Sequence, residues 1–75
     1  MKELVEYIAK SLVDYPEQVK VVERDTRSGI MLELSVADSD MGRVIGRGGR
    51  VVNAMRSLVQ VMADKENRRV SLEII

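Results

Sequence analysis

The 75-residue chain contains no histidine, cysteine, tryptophan or phenylalanine, one proline and only two tyrosines. Without His or Cys it can build no Ser-His-Asp or Cys-His nucleophile system, no zinc site of the usual Cys/His kind, no iron–sulfur cluster and no disulfide. Most hydrolytic and redox chemistry is excluded at once. Long apolar runs are also missing: the 28 Leu, Ile, Val and Met residues are spread along the chain, and no stretch of 18 or more could span a bilayer. Acidic Glu3 and Glu6 stand where a signal peptide would need positive charge and then an unbroken apolar segment. A single small domain over residues 1–75, cytoplasmic and without membrane association, is the expectation.

What is present arranges itself as alternating helical and extended periods. Leu4, Val5, Tyr7, Ile8, Ser11 and Leu12 fall on one side of residues 2–14 and Glu3, Glu6, Lys10 and Asp14 on the other, which predicts an amphipathic helix ended by Tyr15-Pro16. Residues 19–24 and 30–36 read as strands, the second with Ile30, Leu32, Leu34 and Val36 facing inward, joined by the Gly-containing loop 25–29. Asp38, Ser39 and Asp40 offer N-caps for a short helix to Ile45; glycines at 46, 48 and 49 interrupt it, and a longer helix runs from Arg50 to Asp64. A polar loop, 64–68, leads to a last strand, 69–75. The predicted fold is therefore α+β, a two-layer sandwich of order α-β-β-α-α-β. Its three-stranded mixed sheet carries the helices on one face and a solvated surface on the other.

The formal charge is zero, yet its distribution is uneven. Residues 1–40 hold five bases against nine acids, 41–59 hold four bases and no acid, and 60–75 hold three of each. The positive block coincides with the Gly-rich turn Gly46-Arg47-Gly48-Gly49 between two helices. Glycines let a backbone approach a ligand closely, and a helix beginning there presents unpaired N–H groups and the positive end of its dipole, an arrangement suited to phosphate. The spacing fits neither nucleotide signature: no Gly-Lys pair exists for a P-loop, and Val51 stands where a dinucleotide fingerprint needs Gly or Ala. The glycines alone would serve equally well as a tight helix–helix corner.

Val44-Ile45-Gly46-Arg47-Gly48-Gly49-Arg50-Val51-Val52 resembles the V-I-G-x-x-G core of the KH (K-homology) RNA-binding domain, and the element order matches the type II form of that family. Motif, length and order together are similar to the small single-KH proteins of bacteria, the KhpA type. The resemblance implies single-stranded RNA as partner, gripped at the backbone by Gly46, Arg47, Gly48 and Gly49 and flanked by Arg43 and Arg50. It also implies an aliphatic groove to which Val44, Ile45, Val52, Val70 and Leu72 contribute, and a variable loop bearing Lys65, Asn67 and Arg68. Composition agrees independently, since RRM, OB-fold and cold-shock proteins stack bases on exposed rings and this chain has only Tyr7 and Tyr15, both near its first helix. Arg56 reads as a solvated helix residue.

The resemblance further implies RNA-chaperone-like regulation connected with cell elongation, and association as a homodimer or as a heterodimer with a larger KH-containing RNA-binding protein. The long helix is apolar over about half its circumference, so a flank near Ala54 and Val61 meets either the first helix or a partner. The alternative function is thus a protein-interaction module acting through its dimer. A helix-turn-helix DNA reader fits less well, because the helix before the turn is short and the sheet prominent. No enzyme or cofactor is expected: Glu33, Asp38 and Asp40 could hold Mg²⁺, but Asp38 and Asp40 are better placed as caps and no acid lies in the basic block.

Overall fold

The computed structural model describes all 75 residues. Helix α1 (Lys2–Leu12) is followed by strands β1 (Lys20–Thr26) and β2 (Gly29–Ser35), then helices α2 (Met41–Ile45) and α3 (Arg50–Lys65) and strand β3 (Val70–Ile74). Short 3₁₀ turns at Pro16–Gln18, Asp38–Asp40 and Arg47–Gly49 join them. The sheet order is β1-β2-β3, with β1 antiparallel and β3 parallel to β2. This is the α+β mixed-sheet architecture read from the sequence, in type II KH order.

The register explains which face is covered. Val21 pairs with Leu34 across the hairpin, and Leu32 with Leu72 across the parallel pair, so their side chains share one face. With Ile30 they pack against Val5 and Ala9 of α1, Val44 of α2, and Val52, Met55 and Val59 of α3, forming one core. On the opposite face Ser71 and Glu73 are exposed and Glu33 bonds Arg24 at 2.6 Å. One face thus carries all three helices, and the other is polar.

Three details depart from the sequence reading. Tyr7 and Leu12, expected inward, are 73% and 39% exposed, while Ala9, which periodicity passed over, is fully buried. A small side chain there lets α1 lie close to the sheet. The hairpin loop is only two residues, because Asp25 pairs with Ile30 and Thr26 with Gly29. The strands persist through a polar window on ladder pairing, helped at the tip by the Thr26 hydroxyl, which donates to Gly29 O at 2.8 Å. Finally, Asp40 stands at the N-cap position of α2 as expected, but its side chain makes no capping hydrogen bond, and Asp38 lies at the start of the 3₁₀ turn. Asp40 is instead wholly buried, and its carboxylate accepts the backbone N–H groups of Asp14 at 3.0 Å and Tyr15 at 3.1 Å. It fastens the exit of α1 to the start of α2.

Candidate nucleic-acid interface

The turn between α2 and α3 depends on glycine most strictly at Gly46. Gly46 has φ +76°, and a Cβ there would meet Val51 Cγ2 at 2.6 Å and Val51 N at 2.8 Å. Gly48 and Gly49 follow in the left-handed region, at φ +64° and +83°. The backbone reverses within four residues and delivers α3 with Gly49 at its N-cap, so no side chain occupies the first-turn N–H groups. Within the turn Gly49 N–H donates to Gly46 O at 3.1 Å and Arg50 N–H to Arg47 O, and the positive end of the 16-residue helix dipole lies there.

Charge at the turn is less uniform than the sequence implies. Arg47 and Arg50 are exposed and have no carboxylate within ion-pair distance. Arg43 is turned away, its Nη2 3.2 Å from Asp14 and its Nε 3.8 Å from Asp40. The acid-free segment therefore borrows two acids from the first forty residues. Val44, expected in the groove wall, is fully buried and supports the turn from beneath, while Ile45 is half-buried beside it. Val52 and Leu72 are likewise core, and Val70 keeps partial exposure.

A cleft of about 250 Å³ runs between α3 and β3, lined by Arg56, Val59, Gln60, Val70, Ser71, Leu72 and Glu73. One wall is the free edge of the sheet. In β3 the carbonyl just before the strand, of Arg69, accepts Ile30 N–H at 2.8 Å, and the N–H just after it, of Ile75, donates to Leu34 at 3.0 Å. Peptide groups of a parallel strand alternate, so those of Val70, Leu72 and Ile74 point away from β2 into the cleft. Arg56 is exposed, as expected of a solvated helix residue, yet it is also anchored: its Nε donates to Leu72 O at 3.1 Å and Nη1 to Asn53 Oδ1 at 3.2 Å, bridging helix to strand edge. Sequence gave no sign of this, because the partner is a main-chain carbonyl sixteen residues on.

Lys65 and Arg68 lie at the other end of α3, about 24 Å from the glycine turn at 1.5 Å per residue. Arg68 Nη2 stands 3.9 Å from Asp25 Oδ1, whereas Lys65 and Arg69 are exposed with no acidic partner. The structure therefore gathers Gly46, Arg47, Gly48, Gly49 and Arg50 at one end of the cleft and separates Arg43, Lys65 and Arg68 from them.

Residues 2–74 match the family model of the KhpA/KhpB KH domain. Over all 75 residues, covering both chains in full, the sequence is 56% identical to the RNA-binding protein KhpA of Clostridium perfringens and 53% identical to that of Clostridium acetobutylicum. It is 48% identical to the RNA-binding protein KhpA of Chlamydia pneumoniae, again over its whole length and 96% of the relative. No solved structure matches the chain significantly.

Proposed function

The chain belongs to the KhpA/KhpB KH-domain family, and on that premise we propose that it binds single-stranded RNA with little sequence preference. The observation that carries the reading is the glycine turn: three positive-φ glycines, an uncapped α3 N-terminus, and two arginines, Arg47 and Arg50, free of acidic partners. A phosphodiester placed there meets the positive end of a helix dipole and two exposed guanidinium groups together. The neighbouring cleft offers an aliphatic side and a strand edge for bases, of which Leu72 O is already engaged by Arg56, and this suits a clamp of about four nucleotides that needs no aromatic ring. No helix is long and apolar enough to cross a membrane. An RNA-chaperone-like role connected with cell elongation rests on the family resemblance alone.

The test is a charge reversal that the fold tolerates. A side chain at Gly48 meets open space, and Arg47 holds no structural partner. Arg47→Asp with Gly48→Asp should weaken binding of a single-stranded RNA at least tenfold by fluorescence anisotropy, with the far-UV circular dichroism unchanged. Equal affinity in a folded variant would reject the clamp.

A second reading, a protein-interaction module working through a homodimer or through a heterodimer with a larger KH-containing RNA-binding protein, is favoured by α3. Ala54, Leu58 and Val61 form a stripe on it, with Leu58 51% and Val61 54% exposed. Two linked clamps would raise the weak affinity of one short site.

A further inference from the structure

A second depression of about 220 Å³ opens at the tip of the β1–β2 hairpin, and its lining includes Thr26, Ser28, Met31, Arg69, Val70 and Ser71. Val70 and Ser71 line both it and the α3–β3 cleft, so the two are neighbours at the start of β3. The junction is held closely: Ile30 N–H donates to Arg69 O, and a Cβ at Gly29 would collide with that same carbonyl. Hairpin tip and β3 entrance therefore act as one surface.

That surface is cationic and rich in hydroxyls. Asp25 is engaged with Arg68, which leaves Arg69 and, at the tip, Arg27, exposed and without an acidic partner. The hydroxyls of Thr26 and Ser28 stand 3.2 Å apart, and that of Thr26 bonds Gly29 O at 2.8 Å. Guanidinium groups with short hydroxyl side chains match phosphate and ribose oxygens, and there is no aromatic side chain among them to favour a base.

Resting on the RNA reading above, we propose that the hairpin tip is a second RNA subsite: a strand leaving the α3–β3 cleft at Val70 passes onto this depression, where Arg69 and Arg27 take backbone phosphates beyond the four nucleotides of the clamp. Neither position was a site candidate in the sequence. The subsite adds length dependence rather than base preference.

Oligouridylates of five and ten nucleotides distinguish the two sites. With two added phosphates at about 0.7 each, the log–log salt slope for the native protein should be about 1.4 units steeper on the ten-mer. Arg27→Ala with Arg69→Ala should make the slopes equal and weaken the ten-mer roughly fivefold to tenfold, leaving the five-mer within twofold. A double variant that keeps the steeper ten-mer slope would overturn the subsite while the clamp stands. Failure of the native protein to bind either oligonucleotide would remove the clamp and the subsite with it.

Discussion

At the scale of single residues, two positions of opposite character hold the glycine turn and the helix leading into it in place. Gly46 does so by having none: an added methyl would press on Val51 and force a positive φ on alanine. Overpacking and backbone strain each cost about 1–3 kcal/mol. Gly46→Ala should therefore lower the melting temperature by at least about 10 °C, read by circular dichroism, whereas Gly48→Asp should lower it by only a few degrees, since aspartate tolerates the left-handed region. Asp40 acts through its carboxylate, which accepts two main-chain N–H groups while wholly buried. Asp40→Asn keeps the shape but turns an NH₂ toward one of those donors, at a cost of about 2 kcal/mol. Urea denaturation should show that loss in the midpoint with little change in slope; an unchanged midpoint would mean the buried carboxylate contributes nothing. Asp40 was hidden from the sequence because an Asp before a helix has an ordinary explanation as a cap, and its real partners lie 26 and 25 positions earlier.

Elements were far more legible than such long-range bonds. The alternation of Ile30, Leu32 and Leu34 and the glycines after Ile45 each mark a feature that the backbone adopts, whereas α1 ends at Leu12, before Tyr15-Pro16, with Val13 already extended and Pro16 opening a 3₁₀ turn. What escaped was governed by neighbours: β1 runs on through Asp25 and Thr26 because β2 supplies their hydrogen-bond partners, and α1 buries Ala9 because the sheet lies so near. The width of the apolar face on α3 had two explanations, packing on α1 or meeting a partner. Leu58 and Val61 remain open. Leu58→Glu with Val61→Glu should shift sedimentation toward the monomer and leave the melting curve nearly unchanged, because neither side chain supports the core; a sedimentation profile identical to that of the native chain would remove α3 as the self-association surface. The glycine turn was legible as a motif, but the pairing of Arg43 with Asp14 and Asp40 was not, since those acids sit in the segment that looked remote from it.

For the molecule as a whole, neutrality works as a positional restriction. Acids dominate the first forty residues, and arginines without acidic partners are left at the glycine turn, at the hairpin tip and at the start of β3. A short oligonucleotide making two to four phosphate contacts should give a log–log salt slope of about −1.4 to −2.8, measured by titration across sodium chloride concentrations. A flat response would mean that nonionic contacts dominate. The parallel pairing of β3 adds a kinetic consequence. Ile30 and Val70, adjacent in the sheet, are forty positions apart in the chain, whereas the β1–β2 hairpin closes through a two-residue turn. Loop closure delays distant pairings and favours local ones, so the hairpin can form early and β3 must dock late. The strand edge that lines the cleft is then absent from early folding species. A bound strand touching both α3 and β3 should accordingly slow unfolding in stopped-flow dilution while leaving the refolding rate almost as it was.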